Sequence, residues 1–480
     1  LAIGTLLPPV VDSIGGGLLD LPALVRYADG GLEPTETIYA DVRSVPRGHR
    51  LAVDLSGPGV ASPTIVRWFD AKPRKRRAAN SPGAETEVVL SALEAAVQAG
   101  LPRSAPVSSL MSGGLDSTVI TSIAARSRPP GAGVRAYCHI PAPGTPDISP
   151  FTSASDEPWA TAVADSVGGL DLELVDTPMA ESPVGVLREV IDVSRNPPLV
   201  PANEVWLADI VARIKASGSP YVVTGATGNA MFSYGLNQPL ALVLAGEIGA
   251  SLAWVGHRRG SGVSARGIVG RMASPLRPVA WPTSLRPYLA QSAQPWASGI
   301  GLAGRASRAV DRRTWLRHAA TGGWGQTWAA LAPELWWDDP FTDPILFDVI
   351  ASLPVAAWLR GGHDRSLARR VASRVLPAAV ATREGRGGQG ADLPARLAHH
   401  QHELRDAIDS LDAARSSRLV ADTAQLHRGL RHALNGVGPT GAQLDNQQLA
   451  AHLWARTGAR VVEAAETARR HELAGRRYRH

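Results

Sequence analysis

At 480 residues the chain is too long for one ordinary hydrophobic core, so two or more domains are expected. Its 44% hydrophobic content is ample for burial, and its 48 glycines and 37 prolines are scattered, which excludes a collagen-like or wholly disordered chain. The single cysteine, Cys138, excludes an intramolecular disulfide framework and a cysteine-based zinc cluster, and no apolar run reaches the ~20 residues that span a bilayer.

These features suit a cytoplasmic protein with no membrane span. The net charge of +6 is carried almost wholly by arginine, since the only lysines are Lys72, Lys75 and Lys215. GC-rich codon usage gives the same bias. The functional reading is a guanidinium-lined surface for phosphates or an acidic substrate. No helix-turn-helix, zinc-finger or aromatic RNA-binding signature is present, so no nucleic-acid partner is expected.

Residues 1–70 read as short apolar pieces, Leu1–Leu7 and Leu21–Tyr27, followed by the strand-like alternation of Ile38–Val53. Ala71–Arg77 and Ala78–Pro82 have the composition of an exposed linker. Apolar spacing then predicts a helix over Glu85–Gln98. An α/β alternation follows: strand Val107–Met111, helix Ser117–Arg126, strand Val134–Ile140, helix Glu157–Ser166, strand Leu170–Val175, helix Glu204–Ala216 and strand Tyr221–Thr224. This order predicts an α/β fold, a parallel sheet with helices on both faces. Beyond about Met231 strand signals fade, and helices are expected at Leu367–Val375, Leu397–Ala413 and Gln447–Arg469. Residues 256–312 are Gly-, Ser- and Arg-rich and read as loops with short helices.

The segment Val107-Ser108-Ser109-Leu110-Met111-Ser112-Gly113-Gly114-Leu115-Asp116-Ser117-Thr118 carries the most chemistry. A strand enters a Ser-Gly-Gly turn and a helix starts at once. Glycines let the backbone approach a ligand, and the free N–H groups of the new helix favour an anion there. Ser112 and Ser117 add hydroxyls, and Asp116 can hold Mg²⁺ against phosphates. No lysine follows, so the loop is distinct from the Gly-x-x-x-x-Gly-Lys type.

Here the sequence resembles the synthetase domain of the asparagine-synthetase family, whose pyrophosphate loop reads Ser-Gly-Gly-Leu/Ile-Asp-Ser. Ala136–Pro141 sits where that family's second strand contacts adenine, and Asp156-Glu157-Pro158-Trp159-Ala160 resembles its Asp-Glu-x-x-Tyr-Ala segment. The stretch Val223–Phe232 resembles Leu-Ser-Gly-Asp-Gly-Gly-Asp-Glu-Leu-Phe, and Pro340–Asp343 resembles Pro-Phe-Leu-Asp. The resemblance covers about residues 80–400. It implies an adenine-nucleotide-hydrolase type of sheet, ATP and Mg²⁺, and a helical C-terminal part. The implied nucleotide-binding residues are Ser112, Gly113, Gly114, Leu115, Asp116, Ser117, His139, Ile140, Gly225 and Gly228, with Asp116 and Asn229 on the metal.

Ile38–Leu51 looks like the closing strands of the family's glutaminase-type domain, which normally begins with a catalytic cysteine. Residues 1–75 are therefore expected to be a remnant of that β domain without the cysteine, and 80–480 the synthetase domain. Among family members the pattern is most like the lasso-peptide cyclases. These activate an Asp or Glu side chain as an acyl-adenylate and close it on the peptide's N-terminal amine as a macrolactam. That reading implies a precursor peptide as substrate and a leader-peptidase or leader-binding protein as partner. A β-lactam-synthetase-like or ammonia-dependent small-molecule ligase stays open, as does a nucleotide-binding regulator without catalysis.

Two departures stand out. Ala226 and Asn229 occupy the positions of two family acids. The Lys–Glu pair of the β-lactam-forming branch is missing, and the matching region runs Arg383-Glu384-Gly385-Arg386-Gly387-Gly388-Gln389-Gly390. Arg386 is the candidate replacement, with Arg383 as its nearest rival, Glu334, Asp338 and Asp339 as candidate acid partners, and glycines expected to let this loop close.

Overall fold

The computed structural model describes residues 2–18, 20–28, 32–54, 63–69, 81–149, 151–198, 203–233, 242–243, 246–260, 262–273, 291, 326–413, 422, 424–425 and 428. The described N-terminal part holds two short helices, α1 (Leu7–Ser13) and α2 (Leu21–Ala28), then an antiparallel pair, β1 (His49–Ala52) and β2 (Thr64–Arg67). It leans on the rest of the chain through polar and aromatic contacts. The Tyr27 hydroxyl donates to the Pro197 carbonyl at 2.8 Å and that of Tyr39 to Arg195 at 2.7 Å, while Phe69 meets Phe347 edge-on at 5.7 Å. The expected domain boundary near 75–80 lies outside the described residues.

From residue 81 the chain builds an α/β layer structure. Helix α3 (Pro82–Gly100) starts where the Ser81 side chain accepts from the Ala84 N–H at 3.2 Å and Pro82 takes the first helical position. Then come β3 (Val107–Leu110), α4 (Leu115–Ser127), β4 (Val134–Ile140), the two-residue β5 (Thr152–Ser153), α5 (Glu157–Ser166) and β6 (Leu170–Asp176). After α6 (Pro183–Ser194) and α7 (Glu204–Ala216) follow β7 (Tyr221–Thr224), α8 (Gly228–Met231), β8 (Trp336–Asp338) and β9 (Arg386–Gly387). The main sheet has the order β6-β4-β3-β7-β8 and every pairing in it is parallel.

Both faces are covered, and the strand alternation shows why. Ala136 and Cys138 of β4 and Val223 of β7 face a core shared with α3, α4, α5 and the later helices Pro344–Ser352 and Ser366–Val375. Tyr137, Val175 and Val222, one residue out of phase, face α7 through Ile210, Val211 and Ile214. The chain moves outward from β3 to β4 to β6 and then returns to β7 on the other side of β3. Right-handed crossovers place α4 and α5 on one face and α7 on the other.

Several elements differ from the sequence reading, beginning with Ile38–Val53, of which only His49–Ala52 pairs as a strand. β8 lies beyond the point where strand signals fade: Trp336-Trp337-Asp338 is too short to show alternation, and pairing with β7 makes it an edge strand. Helix α6 completes the β6-to-β7 crossover, and the single helix expected over Leu397–Ala413 breaks at His400 into Leu393–His399 and Gln401–Ala413. The helix expected at Gln447–Arg469 lies outside the described residues. Among the described residues no single helix is long and apolar enough to cross a membrane.

One buried charge joins the sheet-covering helices. Glu85 in the first turn of α3 is fully buried, and its carboxylate accepts from Arg360 Nε at 3.1 Å and from Arg370 Nη2 at 3.0 Å. Removing it leaves two half-buried guanidinium groups without their counter-charge. Glu85→Ala is therefore expected to lower stability by ~3 kcal/mol, read as a shift in the urea midpoint at an unchanged slope.

Candidate active site

In an open parallel sheet the crevice for a ligand lies beyond the carboxyl ends of the strands, where the chain order reverses. Here that is the edge between β3 and β7, and the turns following these two strands meet there. The turn after β3 is held by its own hydroxyls. Ser112 Oγ lies 2.9 Å from Ser117 Oγ, the Gly114 N–H donates to Ser112 Oγ at 3.1 Å, and the Ser112 N–H donates to Ser117 Oγ at 3.0 Å. Gly114 caps α4 in extended geometry, with Leu115 and Asp116 opening the helix.

The turn after β7 presses directly on this one. A Cβ on Gly225 would lie 3.0 Å from the backbone of Asp116 and Ser117, and one on Gly228 would lie 2.5 Å from Asp116 Oδ1. Side chains at these positions would drive the turns apart. Gly225 thus serves close approach of backbone, and Gly228 leaves room for the Asp116 side chain.

Asp116 is buried. Ser233 donates to its Oδ2 at 2.7 Å, and its Oδ1 has no hydrogen-bond partner. Burial pushes its carboxyl above the usual carboxylate range, against the Ser233 hydrogen bond and the field of Arg365. The same Ser233 hydroxyl lies 3.2 Å from Asn229 Oδ1, so the two predicted metal ligands bracket one hydroxyl. An orphan carboxylate oxygen beside an amide oxygen is the hard donor set that Mg²⁺ takes, and a cation there would offset the cost of burying the charge. Asp116 and Asn229 would hold it.

On the outer side of the turn sits Arg383. Its Nη1 donates to the Gly113 carbonyl at 3.1 Å and to Asp156 Oδ1 at 2.7 Å, and its Nη2 donates to Ser153 Oγ at 2.7 Å. Its guanidinium carbon stands 3.4 Å from the centre of the Trp159 ring. Gly113 leaves room for this clamp, since a Cβ there would lie 2.8 Å from Trp159 Cβ and 3.0 Å from Arg383 Nη1.

Arg386, the residue expected to replace the missing Lys–Glu pair and face the phosphate, is exposed on β9, where its backbone pairs with Thr152. Arg383 lies three residues earlier, and the loop's register against the turn is set by β9 pairing with β5. Two glycines of this loop serve close packing: a Cβ on Gly387 would run into the Asp156 carboxylate and one on Gly388 into the Ile148 side chain.

Two of the expected acids lie elsewhere. Glu334 precedes β8 at the amino end of the sheet, 2.9 Å from Lys215 and half exposed. Asp338 accepts from the Tyr221 hydroxyl at 2.5 Å and abuts Gly100 at the end of α3. Neither is brought to the turn. The neighbouring Asp339 is: the Thr227 N–H donates to its Oδ2 at 2.7 Å and the Phe341 N–H to its Oδ1 at 3.1 Å, so it orders the β7 turn. Burial pushes its carboxyl up to about 6.

The expected adenine contacts divide between the faces. Ile140 shares the alternation of Ala136 and Cys138, on the face of α4. His139 turns the other way and stacks on Trp206 with ring centres 5.2 Å apart. Burial lowers its pKa, against the pull of Asp392 at 3.9 Å.

Asp156 and Ser233 were not among the predicted site residues, while Arg383 and Asp339 stood there only as rivals of Arg386 and of Asp338 and Glu334. Asp156 lay inside the Asp-Glu-x-x-Tyr-Ala-like motif, so a signal existed for it. A lone serine after Phe232 carries none.

Comparison with known families agrees with this arrangement. The model of the family described as asparagine synthase matches residues 88–335 and 339–458, well over half of the chain. The chain belongs to the asparagine synthase family, whose members are ATP-dependent amide ligases. No curated protein matches it.

Two outcomes test the site. Arg383→Ala is expected to lower turnover ~10²-fold or more by freeing the turn at Gly113, while Arg386→Ala stays within a small factor of the parent in steady-state kinetics. The second concerns Asp339. Its carboxyl binds a proton more tightly folded than unfolded, so its contribution to stability falls as pH rises from about 4 through about 6. Asp339→Asn removes that component, which denaturant midpoints measured across this window will show as a flatter profile than the parent's.

Proposed function

We propose that this member of the asparagine synthase family activates a carboxylate of a peptide as an acyl-adenylate and closes it on the peptide's own N-terminal amine. The product is then a macrolactam of the lasso type, formed with release of AMP and pyrophosphate. The observation that carries the nucleotide half of this reading is Asp116: a buried carboxylate with one orphan oxygen, enclosed by Ser233 and by the Gly225–Gly228 turn. Mg²⁺ bound there supplies positive charge against the polyphosphate. The chain's own groups do the rest. The hydroxyls of Ser112 and Ser117 and the N–H groups opening α4 receive the departing pyrophosphate, and Arg383 holds the turn in shape from behind.

The choice of amine rests on Cys138. It is the only cysteine in these 480 residues, it is buried in β4, and burial pushes its thiol up. A thiol in that state does not attack glutamine. An amine carried by the substrate is the nucleophile this reading assigns, and holding it beside the activated carbonyl supplies the rate advantage of an intramolecular reaction. In this reading residues 1–75, with the β1–β2 pair, are the remnant of a glutaminase-type domain. A leader-peptidase or leader-binding protein is the partner.

ATP–pyrophosphate exchange is the direct test. Exchange is expected only in the presence of a peptide carrying a suitable acid, with AMP and pyrophosphate formed in equal amounts and a product lighter than the peptide by one water. Asp116→Ala is expected to abolish exchange while leaving the far-ultraviolet dichroism unchanged. Release of ADP and phosphate, or of glutamate from glutamine by this chain alone, would overturn the proposal.

A further inference from the structure

On the helical side of the molecule three side chains converge that the proposed reaction does not use. His257 lies on helix Ile248–Gly260, His363 follows the turn Arg360–Gly362, and Glu384 is the residue after Arg383. One potential ligand atom from each lies within 4.8 Å of the others, and the imidazole rings are 4.1 Å apart, centre to centre, at 52°.

The backbone beneath them is fixed before any ligand arrives. Asp364 accepts from Trp254 Nε1 at 3.0 Å and pairs with Arg258, so the residues next to both histidines are tied together. Gly362 has a positive φ of 79°, and a Cβ on it would lie 2.6 Å from His257 Cβ, so the turn sits flush on the helix. The nearby arginine charges are spoken for: Arg258 faces Asp364, and Arg369 donates to the Asp364 and Ala381 carbonyls at 3.0 and 3.3 Å.

We propose that His257, His363 and Glu384 form a binding site for a single Zn²⁺ ion, with one coordination position left to water. Two imidazoles and a carboxylate are ligands this ion takes, with bonds of ~2.0–2.2 Å that put ligand atoms ~3.3 Å apart. Closing from the observed spacing needs rotation of His363 and Glu384, which are exposed and able to turn.

The site has a consequence for the pyrophosphate turn. Glu384 is bonded through the chain to Arg383, whose guanidinium holds Gly113 and Asp156. A metal on Glu384 therefore fastens the 383–390 loop to helix Ile248–Gly260, and the loop can no longer separate from that helix without losing a ligand.

The test uses the full chain and Zn²⁺ alone. After dialysis against zinc and then buffer, elemental analysis is expected to find one zinc per chain, and zinc is expected to raise the melting temperature. His363→Ala and Glu384→Gln should each weaken binding at least tenfold in competition with a chromophoric chelator and remove the thermal shift. His399→Ala, an exposed histidine outside the cluster, should change neither. Glu384→Gln is conservative and exposed, so it remains readable even if a histidine variant fails to fold. Retention of less than one zinc per chain, or retention that Glu384→Gln and His363→Ala leave untouched, would show a tilted histidine pair with no metal function.

Discussion

The contact on which this site depends is the one between Asp116 and the turn after β7. Two chain segments more than 100 residues apart meet closely, because Gly225 faces the backbone of Asp116 and Ser117 and Gly228 faces the Asp116 side chain at the start of α4. A carboxylate closed in this way pays a desolvation cost that a single hydrogen bond from Ser233 only partly offsets. A buried anion with an orphan oxygen is a poor choice for stability and a good one for binding a cation beside phosphates. The burial is therefore best understood as part of the chemistry.

Everything around that contact serves to hold two loops in register. The parallel sheet brings the carboxyl ends of β3 and β7 side by side, and the crossovers put α4 and α7 on opposite faces, so the helix starting at Leu115 projects its free N–H groups into the gap. Asp339 then fixes the β7 turn through the Thr227 N–H, and Arg383 fixes the β3 turn through the Gly113 carbonyl. Each turn thus has one charged group behind it, drawn from a segment later in the chain. Neither group needs to touch a substrate to matter, since an error of about 1 Å in the placement of reacting groups can cost ~10²-fold in rate.

Local patterns made much of this readable. The strands Val134–Ile140 and Tyr221–Thr224 and the helices Glu157–Ser166 and Glu204–Ala216 have the limits their apolar spacing predicts, because each buries a whole face against one layer. The edge strand Trp336–Asp338 was not readable, because three residues cannot display a period and its partner lies far away in sequence. The same distance hid the clamp. Arg383 and Arg386 are chemically identical and three residues apart, and only the pairing of β9 with β5 decides which of them reaches the turn and which faces solvent.

The sequence by itself determined the α/β layering, the Ser-Gly-Gly turn and the family to which it belongs, since these rest on residues adjacent in the chain: a strand, two glycines, an acid and a helix start. Only the tertiary structure decided which charges attend that turn. It chose Asp339 over Asp338 and Glu334, Arg383 over Arg386, and a serine as the partner of Asp116. It also gathered His257, His363 and Glu384 from three separate segments. The reason is geometric. A local motif specifies its own backbone, whereas the direction a lone polar side chain takes depends on sheet register and helix packing fixed by contacts hundreds of residues away.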